Sequence, residues 1–147
     1  MNSIKKISLK IAIDVSPENV FQFVTSWETQ YKWVLATKVK GVDNDSHRLG
    51  GKIEAFTGIG RFGFLDTMTI TKWNPPHLCE VTHTGKTVKG SGVFEVTSVD
   101  GVTYFTWTEY TEVPFGIIGQ IGWILVAPIA KLGLILSLRR FRKMFQS

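Results

Sequence analysis

Two acidic residues stand where the sequence otherwise places large apolar side chains. In the series Phe62, Phe64, Asp66, Met68, Ile70 and the series Phe105, Trp107, Glu109, Thr111, Val113, every second residue falls on one face of an extended strand, so Asp66 and Glu109 line up with core-forming neighbours. An unpaired carboxylate taken out of water costs several kcal/mol and is retained mainly with a partner or a purpose. Arg61 and His83 are candidate partners, and His83 shares a strand face with Cys79 and Val81. A carboxylate in an apolar pocket has a raised pKa, which suits it to general acid or base work or to anchoring a ligand hydroxyl. The plainer reading of each acid is a structural hydrogen bond, or a strand face assigned one residue out of register.

Other chemistries find less footing. Gly58-Ile59-Gly60-Arg61-Phe62-Gly63 matches a dinucleotide fingerprint letter by letter, but that fingerprint needs a strand before it and a helix after it, and strand-like sequence lies on both sides here. Its glycines read as turn or bulge positions of a bent hairpin. His47, His77 and His83 lack metal-helix spacing, so no metal site is expected, and no cofactor is implied. There is no Gly-x-Ser-x-Gly elbow, and the lone Cys79 reads as a small core residue rather than a nucleophile.

The elements that would position these residues are mostly strands. Ile7, Leu9, Ile11, Ile13 and Val15 alternate with Lys6, Ser8, Lys10, Ala12 and Asp14, the period-two pattern of a half-buried strand. Ser16-Pro17-Glu18 then has the form of a helix start: a hydroxyl that accepts from orphan amides, a proline where no donor is needed, and an acid near the positive end of the dipole. Val20, Phe21, Val24 and Trp27 supply that helix's apolar face. Trp27, Tyr31 and Trp33 form an aromatic cluster that either roofs a pocket or fills the join between helix and sheet. Turn residues at Asp43-Asn44-Asp45, Gly50-Gly51, Gly58 to Gly63, Asn74-Pro75-Pro76, Gly85, Gly90 to Gly92 and Asp100-Gly101 then divide the chain into an antiparallel meander. Asp100-Gly101 is the strongest hairpin signal, because both residues tolerate the positive φ such a turn requires.

From Phe115 to Leu138 the chain is almost wholly apolar, too long for a strand, and interrupted by Gln120, Pro128 and Lys131. Strands followed by one long terminal helix suggest an α+β domain, and 147 residues without a low-complexity linker suit a single domain, 1–147. The apolar run approaches the ~20 residues that span a bilayer. Lys131 within it and Pro128 oppose a span, while Arg139, Arg140, Arg142 and Lys143 behind it could meet phospholipid headgroups. Those four cations account for most of the net charge of +5, so basicity is a property of one segment; a nucleic-acid binder would spread it over a face, and none is expected here. One cysteine and no signal-like apolar run at the N-terminus suit a reducing, cytoplasmic setting, with membrane association as the alternative.

Four segments carry a family resemblance. Asp14-Val15-Ser16-Pro17-Glu18-Asn19-Val20-Phe21-Gln22-Phe23-Val24 with Trp27, Trp73-Asn74-Pro75-Pro76-His77, Gly101 through Glu109, and Leu125-Val126-Ala127-Pro128 leading to Leu138-Arg139-Arg140-Phe141 together resemble the polyketide cyclase/dehydrase and lipid transport branch of the START-like (SRPBCC) superfamily. The resemblance implies a helix-grip fold: a curved seven-stranded antiparallel sheet, two short helices near its start, and a long C-terminal helix over an apolar cavity. It also implies a binder of a small hydrophobic ligand, lipid or polyketide-like, although one fold hosts many activities.

On that basis Phe62, Phe64, Met68, Trp107, Ile121, Leu125 and Leu132 are expected to line the cavity, with Asp66 and Glu109 orienting the ligand. Binding rather than catalysis is the leading expectation. The alternatives are a metal-free cyclase or dehydratase that uses Glu109 or Asp66 as acid or base, and a membrane-associated accessory protein that docks through its apolar, basic C-terminal helix.

Overall fold

The computed structural model describes residues 3–42, 46–86, 88–113 and 115–145. Seven strands, β1 (Ser3–Ile13), β2 (Thr37–Gly41), β3 (Lys52–Ile59), β4 (Phe62–Asn74), β5 (Leu78–His83), β6 (Gly90–Val99) and β7 (Val102–Val113), form one antiparallel sheet in the order β1-β7-β6-β5-β4-β3-β2. Helix α1 (Pro17–Val24) and a 3₁₀ helix (Trp27–Lys32) connect β1 to β2, which sit at opposite edges of the sheet, and helix α2 (Gly116–Lys143) follows β7. This is the α+β helix-grip arrangement.

Local chemistry explains most boundaries. The Ser16 hydroxyl accepts from the Asn19 amide at the start of α1, with Pro17 at the first helical position. Val20, Phe21, Val24 and Trp27 are all buried, as their spacing implies. The β6–β7 hairpin turns through Asp100 and Gly101 with φ of 51° and 80°, a left-handed pair that favours Asp-Gly. The β3–β4 hairpin turns at Gly60-Arg61, so the fingerprint-like glycines serve a turn with strands on both sides. The turn expected at Asp43-Asn44-Asp45 lies outside the described residues.

One expected turn proves to be strand. Gly90 to Gly92 lie at the start of β6, where Gly90 pairs with Thr111 and Gly92 with Glu109. The second of the two short helices is a 3₁₀ turn, whose Trp27 and following Trp33 are buried while Tyr31 is exposed. The tryptophans therefore fill the join between helix and sheet. Trp33 is the hub of the core, with ring centroids 5.0 Å from Phe141, 6.1 Å from Phe105 and 5.7 Å from Trp107.

Helix α2 runs five residues further than the apolar segment alone suggests, through the basic cluster to Lys143. Its last turns are seated: Leu138 and Phe141 are buried, and the Ser137 hydroxyl accepts from the Leu35 amide and donates to the Gly133 carbonyl. Near its start Gln120 Nε2 donates to Ser3 Oγ at 2.7 Å. Between these two attachments no residue of the helix is fully buried.

Candidate functional site

Strand register brings together residues that are far apart in sequence. Met68 on β4 pairs with His83 on β5, His83 with Gly90 on β6, and Gly92 with Glu109 on β7. Side chains two apart on a strand share a face, so Asp66, His83, Trp107 and Glu109 meet on the concave side of the sheet. His83 Nδ1 lies 2.9 Å from Asp66 Oδ1, His83 Nε2 lies 3.3 Å from Glu109 Oε2, and Trp107 Nε1 donates to Glu109 Oε1 at 2.8 Å. The side chains of His83 and Asp66 are 6% and 12% exposed, so this chain of polar groups is largely shielded from water.

Burial is the largest single influence on the His83 imidazole and lowers its pKa, but the hydrogen bonds to Asp66 and Glu109 and the charges of both acids together outweigh it and raise it to about 9. At neutral pH both ring nitrogens therefore carry protons and donate, one to each carboxylate. The imidazolium balances one of the two negative charges. Glu109 owes its position in part to an absence: a Cβ added to Gly92 would sit 3.0 Å from Glu109 Oε1, so glycine leaves room for the carboxylate to lie against the sheet.

Asp66 and Glu109 share the face of their apolar neighbours, and of the two candidate partners His83 is the one that meets them, in the plainer role of a structural hydrogen bond. Arg61 instead sits at the β3–β4 tip with its guanidinium 5.9 Å from the Phe62 ring. Met68 is half-buried and Trp107 buried beside the cluster. Phe62 and Phe64 keep the parity of Asp66 but are exposed, because β5 begins its pairing only at Met68 and the earlier part of β4 pairs with β3 alone, as a ribbon projecting past the sheet.

Ile121, Leu125 and Leu132 are also exposed, and for a geometric reason. At about 100° per residue they fall on the side of α2 opposite Gln120, Leu134, Leu138 and Phe141, the residues that attach or bury it. The same rule places half-buried Trp123 and Ala127 on the sheet side. A uniformly apolar run carries no periodicity, so sequence alone could not assign its facing; Gln120, the one polar residue of its first half, was the available signal.

The helix, which contacts β1 and β7, passes the level of the cluster. Gln120 is fixed at Ser3, which pairs with Val113, and Phe141 packs on Phe105; Glu109 and Trp107 lie between those two positions on β7. The distance from Gln120 to Phe141 along the helix is about 32 Å, and from Val113 to Phe105 along the strand about 26 Å, so the middle of α2 crosses the level of the cluster. Two surface clefts of about 630 and 640 Å³ lie elsewhere, one along the β2–β3 edge beside Glu28 and Tyr31, the other between α1 and the Pro75-Pro76 turn.

The remaining polar candidates have structural roles. Cys79 is buried, and burial followed by the charge of Glu80 pushes its thiol up to about 12, which leaves it protonated and inert. His47 stacks on Trp27 at 5.5 Å and bonds the Thr25 carbonyl, and His77 Nδ1 lies 3.3 Å from the Val96 carbonyl. Among the described residues, Trp33 Nε1 is the one buried side-chain polar atom without a partner, one ring away from Trp107.

Residues 5–143 match the model of a family described as polyketide cyclase / dehydrase and lipid transport. The chain belongs to that family. Among solved structures it is similar to the Zhui aromatase/cyclase from Streptomyces sp. R1128, at a TM-score of 0.78 and 9% identity over 98% of this chain and 94% of that one. A protein from Thermus thermophilus superposes at a TM-score of 0.74 with 12% identity over 95% of each chain. The Aha1 dimer from Colwellia psychrerythraea does so at 0.65 with 17% identity over 97% of this chain and 96% of that one. Similarity at these identities speaks for the fold. No curated protein matches the sequence.

Proposed function

We propose that this protein binds a small hydrophobic molecule, lipid-like or polyketide-like, between the concave face of the sheet and the middle of α2. The observation that carries this reading is a shielded polar cluster, Asp66–His83–Glu109, on an otherwise apolar face and at the level where no residue of α2 is fully buried. Family membership supports a ligand-binding or cyclase role in general terms. Met68 and Trp107 from the sheet, with Trp123 and Ala127 from α2, would provide apolar contact. Asp66 Oδ2, the one carboxylate oxygen not engaged by His83 or Trp107, and a remaining lone pair of the Glu109 carboxylate would accept from a ligand hydroxyl. Such a ligand is mostly apolar with a hydroxyl at one point, because the site offers acceptors and a large nonpolar area.

The reading is tested by displacement of a bound fluorescent hydrophobic dye. A long-chain alcohol should displace it at lower concentration than the alkane of equal length, and Asp66→Asn with Glu109→Gln should erase about tenfold of that preference, the usual weight of a hydrogen bond to a charged acceptor. Alcohol and alkane acting alike, or neither acting, would contradict it.

The same cluster favours one second reading, a cyclase or dehydratase. Glu109 or Asp66 would take a proton from carbon next to a carbonyl, and the His83 imidazolium would return one to a departing oxygen. In that case Glu109→Gln retains ligand affinity while turnover of a polyketide-like substrate disappears; a wild-type protein without turnover removes this reading.

A further inference from the structure

Helix α2 is built the wrong way round for a helix whose outer side faces only water. The residues opposite its attachment side, Ile118, Ile121, Leu125, Ile129, Leu132 and Leu136, form a continuous stripe, and five of the six are more than half exposed. A helix lying on a protein surface normally turns polar residues outward. Here the outward stripe is apolar for about five turns and then passes into Arg139 and Lys143 on the same side, with Arg140 on its flank, all exposed. By length and composition this helix could cross a bilayer.

We infer that the outward face of α2 docks on an anionic lipid surface, lying flat in the interface rather than spanning it. Crossing would require breaking the Gln120–Ser3 hydrogen bond and withdrawing Leu138 and Phe141 from the core, where both are buried. Lying flat requires neither. The stripe enters the boundary between headgroups and acyl chains, and the cations at its end meet lipid phosphates. Exposed Lys131 lies well away from the stripe, so its ammonium stays out of the acyl region, and its flexible stem lets it reach water or headgroups.

Charge decides between a bilayer and a second copy of the chain. No acidic residue follows Glu112. Two such helices packed antiparallel would set the basic end against Ile118 and Ile121, with no carboxylate on the facing stripe, and packed parallel would set cation against cation. An anionic bilayer answers both the apolar stripe and its basic end. The inference does not depend on a ligand beneath the helix.

Cosedimentation with vesicles tests it, using the full chain and vesicles of phosphatidylcholine alone or mixed with phosphatidylglycerol. The protein should pellet with the mixed vesicles and more weakly with phosphatidylcholine alone. Neutralising the cations in R139Q/R140Q/K143Q should lower partition onto the mixed vesicles on the order of a hundredfold. The pair L125Q/I129Q should reduce binding to both vesicle types. Each of these residues is exposed, so the variants should melt within a few degrees of the wild type, and that control separates lost docking from lost fold. Wild-type protein that stays in the supernatant of the mixed vesicles would overturn the inference. So would a wild-type dimer, seen by light scattering, that L125Q/I129Q converts to monomer, since the stripe would then join two copies.

Discussion

At the scale of single residues, the account rests on a histidine held between two acids. His83 has its pKa raised from 6.5 to about 9 in the fold, so its protonated form stabilises the native state fully below pH 6.5, and that contribution fades as pH rises through about 9. Thermal melts across pH 6 to 10 should therefore show a decline in the wild type that His83→Gln lacks; equal declines in both would assign the loss to other groups. Gly92 is a second point of leverage. Replacing it with Val would force the Glu109 carboxylate off the sheet, with an expected cost of about 1–3 kcal/mol by urea unfolding. Asp66 and Glu109 were legible in the sequence because strand parity is strict, and an acid in phase with Phe, Trp and Met stands out. The importance of Gly92 was not legible, since Gly90-Ser91-Gly92 has the composition of a turn, and only pairing with β7 shows that the missing side chain makes room for a carboxylate.

At the scale of elements, α2 is two helices in one. Its seated part contributes to the core through Phe141, whose ring meets Trp33 and Phe105 at 5.0 and 5.5 Å. Phe141→Ala should cost about 3–5 kcal/mol in urea unfolding, in line with the loss of a large buried side chain. Leu125→Ala, on the bare stripe, should change stability in solution by no more than about 0.5 kcal/mol. A comparable loss in both would mean that the stripe is packed in solution. The strands and α1 were readable because their apolar residues recur with a clean period and their ends carry capping or turn residues such as Ser16-Pro17 and Asp100-Gly101. The facing of α2 was not, because Ile, Leu, Val and Gly on every side leave nothing to mark which way it turns. Phe62 and Phe64 misled for a related reason: alternation gives the face of a residue but not whether a neighbouring strand extends far enough to cover it.

At the scale of the whole molecule, a closed aromatic core at one end of the sheet coexists with an apolar surface and a shielded charge cluster at the other. Trp33, Phe94, Phe105 and Phe141 are close enough to hold that end without a ligand. The opposite end combines two features that a purely structural domain has little reason to keep, a partly exposed Glu109 hydrogen-bonded to Trp107 and a helix span in which no residue is fully buried. Both are accounted for if a hydrophobic molecule occupies the gap. Native mass spectrometry of the protein purified from its own cells, followed by denaturation and extraction, tests this most directly. The account predicts a stoichiometric adduct that proves on extraction to be an apolar molecule bearing a hydroxyl, and that is diminished in Glu109→Gln. A bare protein, still bare after incubation with a library of such molecules, would contradict it.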